Sequence, residues 1–197
     1  MRNFAFAVLL FLAAPAAADQ SSAPASAPYS IGPDSAASYH AFAKMFFLIP
    51  NTIDGTTGKV TGSIGVDGAV NGKLVIDAAS FESGIGKRDE HIREILETGK
   101  FPVIEFVLAS AEPVTPGDPS SYTGPKTVRG SLTVHGVTKE ISFPATVKAE
   151  GESYIIDGAV EVKYTDFGIE PPTFGGIVKR AEDRITLKAH LVALPAK

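Results

Sequence analysis

The sequence predicts an all-β fold, an antiparallel barrel of about eight strands with one inserted α-helix. Three observations predict it. Apolar and polar residues alternate over many short runs, which is the pattern of strands with one buried face. Turn-forming pairs separate these runs at short intervals, which suits hairpins and leaves little room for the crossovers that parallel strands need. Helical periodicity occurs in one segment only. An open antiparallel sheet of seven or eight strands would leave edges prone to pairing with other chains, and closure into a barrel removes them.

The chain begins with Arg2, an uninterrupted apolar run from Phe4 to Leu12, and the small residues Ala16-Ala17-Ala18. This is the pattern of a removable export signal over residues 1–18. The apolar run is shorter than the ~20 residues needed to cross a bilayer, and no later stretch approaches that length, so no stable membrane insertion is expected. Residues 19–28 (Asp-Gln-Ser-Ser-Ala-Pro-Ala-Ser-Ala-Pro) have nothing to bury and are expected to form a flexible leader. Residues 29–197 then form one domain of ordinary size.

Within that domain Leu74 and Ile76 alternate with Lys73, Val75 and Asp77, and Val128 lies between Thr127 and Arg129. Ser131-Leu132-Thr133-Val134 and Ile141-Ser142-Phe143 repeat the alternation, and Tyr154 to Tyr164 and Arg184 to Leu191 are long enough for extended antiparallel strands. Asp54-Gly55, Asp67-Gly68, Asn71-Gly72, Pro116-Gly117-Asp118-Pro119 and His135-Gly136 are expected to be turns. For the helix, Asp89 is placed to cap the first turn, Ile92, Ile95 and Leu96 share a face, and Gly99 stands where a C-terminal stop belongs. Met45-Phe46-Phe47-Leu48-Ile49-Pro50 is too continuously apolar for a one-sided strand and is expected to be buried on both sides.

Composition narrows the function. The net charge of −4 offers no concentrated basic surface, so nucleic acid is not expected as a partner. There is no cysteine, and His40, His91, His135 and His190 share no short ligand motif, so neither a metal nor a cofactor is expected. Gly-x-Ser-x-Gly does not occur, and Ser83-Gly84-Ile85-Gly86-Lys87 lacks the ending of a phosphate loop and fits a flexible turn before the helix. The neighbouring carboxylates Asp89 and Glu90, or Glu182 and Asp183, point in different directions on any regular element. No catalytic residue is therefore expected. The charge cluster from Lys87 to Glu94 fits either a solvated helix start with local ion pairs or a polar rim at a cavity mouth. Twelve Phe and no Trp indicate an aromatic interior of the kind shared by cores and apolar ligand cavities.

Two blocks resemble the YceI-like family of exported lipocalin-like proteins. One runs from Lys87-Arg88-Asp89-Glu90-His91-Ile92 through Gly99-Lys100-Phe101-Pro102-Val103-Ile104-Glu105-Phe106, the other from Val128 to Lys139 with its Gly130-Ser131-Leu132-Thr133-Val134-His135-Gly136-Val137-Thr138-Lys139 hairpin. Tyr164-Thr165-Asp166-Phe167-Gly168 and Asp183-Arg184-Ile185-Thr186-Leu187 extend the resemblance, which spans Tyr29 to Leu194. It implies an eight-stranded lipocalin-like barrel with an inserted helix, an apolar cavity for a polyisoprenoid or similar long-chain amphiphile, and no catalytic residues. The cavity-lining candidates are Phe46, Phe47, Phe81, Phe101, Phe106, Phe143 and Phe167, and the mouth candidates are Lys87, Arg88, Asp89 and His91. The expected protein is a periplasmic, non-enzymatic carrier of a long apolar lipid, either an isoprenoid quinone or a polyprenyl phosphate. Its receiver would be a membrane-bound cytochrome or a lipid enzyme, and self-association into a homodimer stays open. The alternatives are a structural or stress-related envelope protein, and an enzyme acting on a barrel-bound lipid through His91 or His135 with a carboxylate.

Overall fold

The computed structural model describes residues 29–44, 50–65, 70–113, 122–172 and 181–196. The expected export signal and leader, Phe46 and Phe47, and the turns at Asp67-Gly68 and Pro116 to Pro119 lie outside the described residues. The strands are β1 (Tyr29–Ile31), β2 (Ala36–Lys44), β3 (Pro50–Thr57), β4 (Val60–Gly65), β5 (Asn71–Asp77), β6 (Val103–Pro113), β7 (Gly124–Val134), β8 (Val137–Glu150), β9 (Ser153–Val162) and β10 (Ala181–Pro195); the helix α1 (Gly86–Ile95) lies between β5 and β6. Every strand pairing is antiparallel.

The strands run in the order β1-β4-β5-β6-β7-β8-β9-β10-β2-β3, and β1 also pairs with β10, which closes the ring. β1 with β2, and β3 with β4, are the two halves of bent strands, so the barrel has eight strand positions, as the sequence predicts. The bends are held by buried hydroxyls. Where β1 gives way to β2, the Ser35 Oγ accepts the Val192 N–H at 2.9 Å in place of a ladder carbonyl. Where β3 gives way to β4, the Thr57 Oγ1 accepts the Lys59 N–H at 2.9 Å and lies 2.6 Å from the Ser80 Oγ. Ser35 and Thr57 are buried, and these bonds satisfy polar groups that would otherwise destabilise the interior.

Strand parity builds the core. Ala37, Tyr39 and Ala41 on β2 stand opposite Thr57, Gly55 and Ile53 on β3, and Val128 and Leu132 on β7 point inward with Phe106 on β6. One register shift matters. Between Leu108 and Ser110 the pairing of β6 with β7 slips by a residue, and the side-chain parity reverses across a bulge. Ile104, Phe106 and Leu108 face inward before it, and Ala111 and Pro113 after it.

Two expected turns belong to strands instead. Asp54-Gly55 lies within β3 because the ring of Tyr39 occupies the space a side chain at Gly55 would need, a Cβ there meeting its Cε1 at 2.3 Å. Asp54 meanwhile bonds His40 on the outer face. Asn71-Gly72 opens β5, where the Ser63 carbonyl would lie 2.7 Å from a Cβ on Gly72. His135-Gly136 does form the tight turn between β7 and β8, both residues having positive φ (52° and 73°), the geometry of a two-residue hairpin loop.

The helix also differs in its ends. Its N-cap is Ile85, and Asp89 reaches back to accept bonds from the Ser83 N–H (2.8 Å) and Oγ–H (2.5 Å). At the other end Glu97, with φ 45°, holds the left-handed position expected of Gly99. The Thr98 N–H reaches the Arg93 carbonyl and the Glu97 N–H that of Glu94, closing the last turn in a Schellman motif.

Candidate functional site

Among the described residues two cavities lie inside the barrel. The larger, about 240 Å³, extends from Phe81 to the barrel end formed by Tyr29, Tyr122 and Tyr154. The smaller, about 90 Å³, lies at the opposite end beneath α1. Phe81, Ile104 and Leu187 line both and form the partition between them.

The wall of the larger cavity follows from alternation. β9 contributes Ile156 and Val160, β10 Leu187 and Leu191, β5 Leu74 and Ile76, and β8 Phe143 and Ala145. Two aromatic rings lie across glycines of neighbouring strands: Phe106 over Gly130, where a Cβ would meet its Cζ at 2.6 Å, and Phe143 over Gly158, at 3.0 Å from its Cε2. The two rings pack with centroids 5.7 Å apart. Each glycine lets a large ring lie flat on the wall, so the interior keeps an open bore instead of filling with side chains.

Lys126 is the only charged side chain buried among the described residues, with 4% of its surface exposed. It begins the inward series of β7 and stands opposite Ala145 and Pro113 at the tyrosine end of the larger cavity. Tyr122, at 45% exposure, connects that end to solvent.

The smaller cavity is closed by elements that are not strands, while Tyr39, Ala41, Ile53, Val134, Val162 and Ile185 of the strands form its side wall. Ile92, Ile95 and Leu96 present the apolar face of α1, Phe167 and Ile169 come from the turn after β9, and Tyr39, Tyr164 and Arg88 supply polar atoms. Tyr39 is 7% exposed and its hydroxyl has no hydrogen-bond partner among the described residues. Burial pushes its phenol up to about 12, with the Asp89 carboxylate adding to the shift. The phenol of Tyr164 is raised further, again by burial first and then by Tyr39 beside it. Thr165, next to Tyr164, donates from its N–H (3.1 Å) and hydroxyl (2.6 Å) to Asp183, which tethers this turn to β10.

The structure separates the residues predicted for the site. Phe106 and Phe143 stand on the wall of the larger cavity, Phe167 on the smaller, and Phe81 on both. Phe101 lines neither: it lies in the connection before β6, and its ring packs on His135 (centroids 4.6 Å apart) and fills the space above Gly136, pinning the end of α1 to the β7–β8 turn. Arg88 lines the smaller cavity. Lys87 is exposed on the helix, Asp89 is occupied with Ser83, and His91 faces Glu94 at 3.5 Å. These three lie outside the cavity walls because an isolated helix turns only one face inward, here the face of Arg88, Ile92 and Ile95.

Sequence reasoning missed Tyr39 and Lys126. The signal for both is parity: Tyr39 is two residues from Ala37 and Ala41, and Lys126 two residues before Val128. Extending each inward series by one step finds them.

A sequence profile of the YceI-like domain matches residues 29–193. A UPF0312 protein of Pseudomonas putida strain F1 is 34% identical over 149 residues, covering 68% of this chain and 73% of the relative. A UPF0312 protein of Pseudomonas syringae pv. tomato strain DC3000 is 31% identical over 170 residues, covering 72% and 83%. Among solved structures, a polyisoprenoid binding domain from Saccharophagus degradans, implicated in plant cell wall breakdown, superposes with TM-score 0.66 at 17% identity over 86% of this chain and 99% of its own. Burkholderia cenocepacia BcnA superposes with TM-score 0.64 at 23% identity over 80% and 95%. At these identities the structural likeness establishes the fold, and the profile together with the UPF0312 relatives establishes the family: the chain belongs to the YceI-like family.

Proposed function

We propose that this protein is an exported, periplasmic carrier that holds one long apolar lipid, a polyisoprenoid, inside the barrel and catalyses no reaction on it. The observation that supports this reading is the 240 Å³ cavity walled by inward side chains of the barrel strands. At about 24 cal/mol per Å³, leaving such a space unfilled forgoes on the order of 6 kcal/mol of packing, comparable to the whole stability of many domains. An apolar void also stays dry and accepts apolar guests. A lipid tail entering it gains roughly 0.8 kcal/mol for each CH₂ removed from water. The polyisoprenoid binding described for the Saccharophagus degradans domain points to the class of tail. The apolar run between Arg2 and Ala18 supports export, and a membrane-bound cytochrome or lipid enzyme is the receiver such a carrier would serve.

The test is native mass spectrometry, with solvent extraction, of protein purified from the periplasm without detergent. One isoprenoid lipid per chain, raising the unfolding temperature of the delipidated protein when added back, is the expected result. A folded barrel that carries no lipid and gains no stability from isoprenoids would overturn the carrier reading.

A further inference from the structure

The carrier reading leaves open where a lipid enters a barrel whose ladder closes on itself. Parting two strands would break a row of backbone hydrogen bonds, so an end of the barrel is the less costly way in. The end above the smaller cavity is covered by residues 83–101, which contain α1. This segment has two roots. At the first, Glu82 and Thr56 each donate a backbone N–H to the other's carbonyl, both at 2.9 Å; at the second, the Pro102 carbonyl accepts the Ala78 N–H at 2.9 Å. Among the described residues no backbone hydrogen bond joins residues 83–101 to a strand, and none of these residues is buried. Gly84, with φ 79°, and Gly99 stand just inside the roots in open space, where a Cβ on either would meet nothing within 4 Å.

We infer that α1 is a lid that swings as one body on Gly84 and Gly99 and admits the lipid tail beneath it. The body is braced internally. Asp89 accepts two bonds from Ser83, and the Schellman motif closes the last turn of α1, so a swing breaks none of the helix's own backbone bonds. Beyond Gly99 the Phe101 ring packs on His135 and holds the second root still, which concentrates the motion at the glycine. Side chains keep the lid shut: Ile92, Ile95 and Leu96 rest on the smaller cavity, and the Glu97 carboxylate lies 3.5 Å from the His135 Nε2 in the β7–β8 turn. Opening exposes these three half-buried aliphatic groups and leaves the ladder of the barrel intact. This inference rests on the carrier reading, and the experiment separates the two.

The chain has no cysteine, so two introduced thiols can be bridged cleanly. Glu97→Cys and His135→Cys, whose native side chains face each other, are combined and joined by a short bis-methanethiosulfonate reagent that reduction removes. Binding of retinol, a fluorescent isoprenoid, to the delipidated full-length protein is followed by stopped flow in the bridged and reduced states. Association and release are both expected to slow at least about tenfold in the bridged protein and to recover on reduction, because a gate changes the barrier and not the bound state. Equal rates in the two states would overturn the lid and leave the carrier reading standing. Slower release with unchanged association would overturn it as well, since that is the mark of a tightened cavity. A wild type that binds no retinol would remove the carrier reading and the lid with it. Leu96→Ala keeps the test decisive should the double variant fail to fold. Trimming the lid's apolar face is expected to quicken association about fivefold, an effect that loss of a cavity contact alone does not produce. Unchanged association in Leu96→Ala would overturn the lid.

Discussion

The two cavities share Phe81, Ile104 and Leu187 as a common wall, yet they are assembled differently. The larger is walled mostly by strands, with Val70, Phe81 and Tyr122 added from the connections, so its chemistry is that of strand parity: every second residue of an amphipathic strand faces inward. The smaller is walled by strands too, but α1 and the turn after β9 close it, and Arg88 and Tyr164 bring polar atoms to it from outside the strands while Tyr39 does so from an inward position of β2. Lys126 follows the same logic at the opposite end, since it is the first inward residue of β7. A barrel built from alternating strands therefore has an apolar middle and places its polar chemistry at its ends.

The most disruptive test of this contrast removes a ring from the larger cavity. Phe106→Ala deletes a buried ring packed on Phe143 and is expected to lower stability by about 3–5 kcal/mol, measured by urea unfolding. A loss under 1 kcal/mol would mean that the ring does not hold the wall. Next, Ala145→Trp fills the larger cavity from an inward position of β8. Displacing about three CH₂ groups of a tail costs roughly 2–3 kcal/mol, a loss of about fiftyfold in isoprenoid affinity by titration. Unchanged affinity would place the tail elsewhere.

At the other end, Gly55→Ala drives a methyl into the Tyr39 ring. Overpacking of this kind is expected to cost about 1–3 kcal/mol, and a neutral thermal melt would show that β2 and β3 have room to part. Acid titration gives a smaller effect. The Ser83 bonds hold the Asp89 carboxyl below its ordinary 3.8. A folded value lower than the unfolded one adds stability that is present above the unfolded value and lost as the pH falls through the folded one. Asp89→Asn is accordingly expected to flatten the acid limb of the stability curve while leaving the limb above pH 5 parallel to the wild type; equal acid slopes would mean that the clamp makes no contribution. The smallest change is expected from Lys126→Met, which replaces the buried ammonium at the tyrosine end by an apolar chain of similar length: isoprenoid affinity should shift by less than about twofold, well within one hydrogen bond. A larger shift would mean that the ammonium takes part in holding the lipid.

Much of the barrel was legible in the sequence because alternation is a local property. Leu132 and Val134, Ile141 and Phe143, and the long runs that became β9 and β10 show their inward faces without reference to any neighbour. The bulge in β6 was not legible, since a register shift exists only between two strands. Gly55 and Gly72 were misread for a related reason. A glycine beside Asp or Asn has the local chemistry of a turn, and only a ring or backbone from the next strand shows that its missing side chain is a clearance.

The candidate site divides in the same way. Phe106 and Phe143 belong to alternating strands, and their cavity position follows from parity, whereas Phe101 has the same composition but sits in a connection and packs outside the cavities. Tyr39 was passed over because a tyrosine between two alanines has no motif. By itself the sequence determined the class of fold, the apolar middle of the barrel and the place of the helix, because periodicity and turn chemistry act over a few residues. The tertiary structure alone decided that Phe81, Ile104 and Leu187 divide one cavity from another, and that the Tyr39 hydroxyl has no partner among the described residues, because a void and an unsatisfied bond are defined by atoms far apart in the chain.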